Sequence, residues 1–231
     1  MRRDFQTLVD RPPWRIAHLP GPAPDLVIAF ASIGHDATRP PSPEFVRTAT
    51  AGGRPGMFVM DAARSWATAP GFGAALRAAL DALRARQKIA RILTIGSSMG
   101  GFAALRAADK LPVDAVIALS PQYRPAAPGE TRWRPWTDPL PPDLTAPLPE
   151  GPWIVLMHAM EDDAAQAMAF PERRVVDHLL FEGISHSGLA AFLKAKGGLA
   201  GMIEAALAGD RRRLLRIASA AGGRRRAQLP R

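Results

Sequence analysis

The residues best suited to chemistry are those of Gly96-Ser97-Ser98-Met99-Gly100-Gly101, a G-x-S-x-G arrangement with one further glycine. An apolar, β-branched run, IARILTI (89–95), leads into it, and an alanine- and leucine-rich stretch, FAALRAADK (102–110), leads out. A strand followed by a sharp turn and a helix is the context in which such a serine becomes a nucleophile. Small flanking residues let the backbone pass close to neighbouring elements, and the strained turn lifts the hydroxyl clear of the sheet. The helix N-terminus then lies beneath the serine, and the Met99 amide can face a developing oxyanion. Ser97 is the adjacent alternative, but the glycines centre the motif on Ser98. A phosphate-binding turn would instead need G-x-G-x-x-G or G-K-[ST], and neither is present.

Residues 90–120 (ARILTIGSSMGGFAALRAADKLPVDAVIALS) resemble the nucleophile-elbow segment of the α/β-hydrolase superfamily. The rest of the chain is compatible from residue 26 to about 208, although only the elbow is specific. The resemblance implies an eight-strand-type sheet and a triad in the chain order serine, acid, histidine. Of the five histidines, His18 and His35 precede the elbow, His158 belongs to the strand that should supply the acid, and His178 lies inside VVDHLLF. His186, in Gly183-Ile184-Ser185-His186-Ser187-Gly188, has the loop position a base needs.

The acid should follow WIVLMH (153–158), where the loop reads Ala159-Met160-Glu161-Asp162-Asp163. Relatives often carry glycine where Ala159 stands, so the register is loose. The spacing favours Asp162 over Asp163; whichever does not hold the imidazole is a solvated charge or a helix N-cap. A second oxyanion donor is expected from the Ser32 or Ile33 amide, after the strand Leu26–Ala31. The H-G-G-G sequence often carried by lipases is absent. His35, Tyr123, Trp133 and Trp136 are expected to line a substrate pocket, the aromatics suiting an apolar acyl group or a sugar ring.

The elements that must position these groups follow from hydrophobic periodicity. Strands are predicted at 14–19, 26–31, 57–60, 89–95, 113–119, 153–158 and 175–181. Helices are predicted at 44–50, 73–87, 102–110, 188–197 and 199–208. This alternation predicts an α/β fold, with a mostly parallel central sheet and helices on both faces, and its catalytic groups at the carboxyl ends of the strands. After the strand that follows the nucleophile helix, residues 121–152 hold ten of the 23 prolines. They cannot form a long helix and read as a Pro/Trp-rich cap or loop.

The 231 residues suit one domain over 1–209 with a basic tail over 210–231. The tail carries eight arginines against Asp210, a net of +7 out of the chain's +9, so the body is nearly neutral. That distribution disfavours a specific nucleic-acid partner and leaves the tail, at most, weak salt-dependent contact with anionic surfaces. No cysteine is present, which excludes disulfides and thiolate chemistry. No cofactor or metal is expected, since neither H-E-x-x-H nor a dense His/Asp cluster occurs. The first residues lack the apolar run of a secretory signal, and a soluble cytoplasmic protein is the expectation.

Together these features predict a serine hydrolase of the esterase or thioesterase kind, acting on a small acyl or ester substrate through an acyl-enzyme. Two alternatives remain: an acyltransferase or polysaccharide-modifying accessory enzyme with the same triad, and a non-catalytic binding protein of the same fold.

Overall fold

The computed structural model describes residues 4–34, 36 and 38–228. From the N-terminus the chain forms β1 (Gln6–Arg11), β2 (Trp14–Leu19), β3 (Asp25–Phe30), α1 (Val46–Ala49), β4 (Gly56–Asp61), α2 (Phe72–Arg84), β5 (Arg91–Ser97) and α3 (Met99–Ala107). It continues with β6 (Ala115–Leu119), α4 (Arg134–Thr137), β7 (Trp153–Ala159), α5 (Ala164–Ala169), β8 (Val176–Phe181), α6 (Leu189–Ala195), α7 (Gly198–Leu207), α8 (Arg211–Ala220) and β9 (Arg224–Arg225).

One nine-stranded sheet has the order β1-β2-β4-β3-β5-β6-β7-β8-β9. The pairs from β4 through β8 are parallel, while β1, β2 and β9 add antiparallel edges. Strands β4 and β6 are buried along their whole length, as parallel strands covered on both faces must be. Successive side chains alternate between two cores. Ile28, Phe30, Val116 and Leu156 meet α2 and α3, whereas Val27, Ala29, Ile117 and Val155 meet α6, α7 and α8. Helix α2 buries Phe72, Leu76, Ala79, Leu80 and Leu83, one face at helical spacing. Truncating fully buried Leu76 to alanine would cost about 2–5 kcal/mol.

Two features, an added edge strand and the ordering of the basic segment, depart from the reading of the sequence. An unanticipated strand, β1, precedes β2; only Val9 of its six residues is buried, so it lacks a clear apolar signal. Residues 121–152 fold back onto the sheet, burying Trp133, Leu140 and Ala146 in the α2/α3 core. The basic segment is no solvated tail: α8 and β9 are part of the fold. Asp210 caps α8 by accepting from the Arg213 amide, and Leu214 and Ala218 are buried. Arg211 grips the buried Asp177 carboxylate with two hydrogen bonds of 2.6 and 2.7 Å, and Arg225 approaches it at 3.5 Å. Charge that looks unpartnered in sequence is here used to dock a helix and an edge strand.

No helix among the described residues is long and apolar enough to cross a membrane.

Candidate active site

Strand β5 ends in the turn predicted for a nucleophile. Ser98 has φ 56° and ψ −125°, a backbone conformation that costs a non-glycine residue and is sustained only by its surroundings. The Ser98 amide donates to the Leu119 carbonyl (2.8 Å), and the Ser98 carbonyl receives the Phe102 amide (3.1 Å). A Cβ on Gly96 would lie 2.1 Å from the Gly100 carbonyl oxygen, and one on Gly100 would lie 2.4 Å from that of Phe30. Both glycines are therefore demanded by backbone packing. Helix α3 starts at Met99, whose amide has no hydrogen-bond acceptor among the described residues. It is one of the unsatisfied donors of a helix N-terminus.

The histidine loop follows β8. It is stitched to the loop after β7 by Met160 N–H to Phe181 C=O (2.9 Å) and Glu161 N–H to Ile184 C=O (3.2 Å). A turn closed by Asp163 N–H to Ala159 C=O (3.2 Å) then swings Asp163, not Asp162, beneath the imidazole. His186 Nδ1 lies 2.9 and 2.8 Å from the two Asp163 carboxylate oxygens. Asp162 instead accepts from the His186 backbone amide at 2.6 Å, pinning the loop. The spacing had favoured Asp162; the turn geometry reverses that order.

Burial alone would push the Asp163 carboxyl upward. The hydrogen bond and charge of His186, the Ser120 hydroxyl and the Arg132 guanidinium outweigh it and hold its pKa below the usual value. An ionised Asp163 accepts a hydrogen bond from Nδ1–H, which keeps the proton on Nδ1 and leaves Nε2 as the basic nitrogen. Arg132 Nη1 donates to Asp163 Oδ1 at 3.0 Å, and its guanidinium lies 4.1 Å from the Trp133 ring centroid. Trp133 in turn packs on the His186 ring, with centroids 4.9 Å apart. The Pro-rich segment thus braces both members of the pair.

Ser98, His186, Trp133, Ser32 and Ile33 line one cleft of about 550 Å³. The expected second oxyanion donor is narrowed there. The Ser32 amide and hydroxyl both donate to Glu44 Oε1, at 3.1 and 2.6 Å, so that amide is already engaged. The Ile33 amide has no acceptor among the described residues. Two other expected pocket residues lie elsewhere. Tyr123 packs on Phe170, centroids 4.9 Å apart, and Trp136 packs against the α2/α3 core with Arg64 5.8 Å from its ring. Neither lines the cleft, because the segment turns them inward. His35 lies outside the described residues.

Several contributors escape sequence reasoning. Gln122, almost fully buried, donates from Nε2 to Ser98 Oγ at 2.9 Å, and its Oε1 accepts from Trp66 Nε1 at 2.9 Å. Trp66 sits in the loop after β4, where Arg64, Trp66 and Ala67 all have positive φ. Asp61 organises this loop by accepting from the Ala63 amide (3.1 Å) and from the Ser65 amide and hydroxyl (2.7 Å each). From the same loop, Arg64 reaches the carbonyls of Ile33 (2.8 Å), Asp36 (3.1 Å) and Arg39 (2.6 Å). One strained loop therefore fixes the hydrogen bonding at Ser98 and the path of the segment that presents the Ile33 amide.

Two of the remaining histidines, buried His158 and half-buried His178, form a pair, while His18 Nδ1 lies 3.0 Å from the Gly56 carbonyl. His158 Nε2 donates to the Pro121 carbonyl (3.0 Å), so its Nδ1 accepts from His178 Nε2 (2.8 Å). Burial pushes His158 down to about 4 and, with the neighbouring His158 and Arg226, pushes His178 to about 2. Both are neutral and structural. Among the described residues no group of three or more His, Asp or Glu could hold a metal ion.

This architecture defines an α/β-hydrolase fold, and solved structures share it. The capsule O-acetyltransferase of Neisseria meningitidis serogroup A superposes with a TM-score of 0.58 at 12% identity, covering 83% of this chain and 92% of that one. MPT51 of Mycobacterium tuberculosis gives 0.60 at 15% identity, covering 88% and 99%. XC6422 of Xanthomonas campestris, an α/β serine hydrolase without a lid, gives 0.55 at 18% identity, covering 85% and 91%. No protein-family profile and no curated protein sequence matches the chain.

Proposed function

We propose that this chain is a serine enzyme that cleaves a carboxylic ester or thioester through an acyl-enzyme on Ser98. The observation that carries the reading is the Asp163–His186 pair, 2.8 Å apart, whose His186 lines the same cleft as Ser98 on its strained elbow. In the proposed reaction His186 Nε2 takes the Ser98 hydroxyl proton as Oγ attacks the acyl carbonyl. The Met99 and Ile33 amides receive the oxyanion, each donor worth roughly 3 kcal/mol in the transition state. Asp163 holds the Nδ1–H tautomer and offsets the charge of the imidazolium. His186 then protonates the departing oxygen or sulfur, and water, activated by the same nitrogen, releases the acid.

A second reading keeps every residue and replaces water with a hydroxyl acceptor. It is favoured by the likeness to the capsule O-acetyltransferase, whose fold covers most of both chains. The test is turnover of short-chain aryl esters and acyl thioesters by wild type and Ser98→Ala, with and without an alcohol or oligosaccharide acceptor. Release of free acid by wild type alone supports hydrolysis, and acylated acceptor supports transfer. Equal rates in both proteins would reject the reading.

A further inference from the structure

The cleft does not end at Ser98 and His186. Its wall residues Glu44, Ala190 and Ala191 also line a second depression of about 480 Å³, between α1 and α6. Ala190 and Ala191 have no side chain beyond Cβ, so the wall is low where the two spaces meet. The floor beyond is apolar, formed by Phe45, Val46 and Leu199. Phe45 is held at φ 58°, ψ 14°, a left-handed conformation rare for an aromatic residue and of the kind that clusters at ligand sites.

Two cations are in the lining of this depression, Arg47 on α1 and Lys194 in the last turn of α6. Both are exposed, and neither has an ion-pair partner among the described residues. Glu44, the acid in the lining, is turned toward the Ser32 amide and hydroxyl. The trough is therefore apolar below, with two basic side chains and one carboxylate in its lining, a net charge of one positive.

The direction of the trough says which end of a substrate would enter it. The leaving atom of an ester must lie against His186, which protonates it. The chain beyond His186 runs through Ser187 to Ala190 and Ala191, along the wall that opens into the trough. Resting on the serine-enzyme reading, we propose that this trough binds the leaving arm of an extended ester or thioester, and that Arg47 and Lys194 take a phosphate monoester at its far end. Two cations in the lining of one depression match a dianion, and its apolar side chains match an aliphatic linker.

The probes are S-acetylpantetheine, which is neutral, and S-acetyl-4′-phosphopantetheine, which differs by the phosphate. Wild type is expected to show kcat/KM about tenfold or more higher for the phosphorylated thioester at low salt, as two exposed pairs can provide. Raising the ionic strength should shrink that preference. In Arg47→Gln/Lys194→Gln the ratio should fall to within about twofold of unity. In Lys196→Gln, on the same stretch but outside the trough, it should persist. A wild-type ratio near one, or a preference that survives in the double variant, overturns the proposal. Cleavage of neither thioester by a protein whose Ser98 still reacts with a fluorophosphonate also overturns it, leaving the serine-enzyme reading in place. If Ser98 does not react either, both fall.

Discussion

Gln122 Nε2 donates to Ser98 Oγ at 2.9 Å, and the orientation of that amide is not free. Trp66 Nε1 can only donate, so Gln122 Oε1 must face it and the NH2 must face the serine. Under the proposed mechanism, this bond occupies one lone pair of Oγ and leaves the hydroxyl proton free for His186, while the amide stays against Oγ as the reaction proceeds. Gln122→Leu should therefore lower kcat by about ten- to a hundredfold with little change in KM. Gln122→Glu should be worse, since a carboxylate beside Oγ competes with His186 for the proton. Steady-state kinetics on a short aryl ester would check both. Equal activity of the three proteins would remove Gln122 from the reaction.

Asp163 and Asp162 hold different parts of the same loop, one the imidazole and the other the His186 backbone. Asp163→Asn should lower kcat by about 10³–10⁴-fold, because an amide can donate to Nδ1 and favour the wrong tautomer. Asp162→Asn weakens a loop contact and should cost less than about tenfold. The ratio of the two kcat values is the measurement, and a larger loss in Asp162→Asn would reverse the assignment.

Arg64 binds three carbonyls of the segment that carries the Ile33 amide. Arg64→Met should leave that segment without its clamp and displace the amide from the oxyanion. The expected outcome is a fall of about ten- to a hundredfold in kcat with a smaller effect on KM. Arg64→Lys should recover little, since one ammonium cannot span the three carbonyls. Kinetics of the two variants, with thermal melts to confirm folding, provide the check.

The pairing of buried His158 with half-buried His178 predicts an acid-sensitive fold. In the native state the two stay neutral down to about 4 and about 2, whereas an unfolded chain protonates them as pH falls through about 6.5. Their contribution to stability is thus intact above 6.5 and is lost progressively below it. Each histidine steepens the loss by at most about 1.4 kcal/mol per pH unit. Chemical denaturation between pH 7 and 4.5 should show this slope, and His178→Gln should reduce it. An unchanged slope would place the acid sensitivity elsewhere.

What sequence reveals here and what it hides differ for physical reasons. The elbow is legible because Gly96 and Gly100 are required within one local turn, so geometry leaves a short contiguous signature. The parallel strands are legible because burial on both faces makes continuous apolar runs. The acid is not, since adjacent aspartates differ only in which one a turn closed on Ala159 carries under the imidazole. Gln122 and Arg64 act across 24 and 31 residues on Ser98 and Ile33, and nothing in their neighbours marks them. The arginines of 211–226 misled because composition shows charge and not the buried carboxylate of Asp177 that receives part of it.

The most direct measurement is the intact mass of the protein after treatment with a fluorophosphonate, for wild type and Ser98→Ala, with the modified peptide sequenced. A single adduct on wild type, mapped to Ser98 and absent from Ser98→Ala, is the expected result. No adduct on folded wild type, or an adduct that persists in Ser98→Ala, would contradict an activated Ser98.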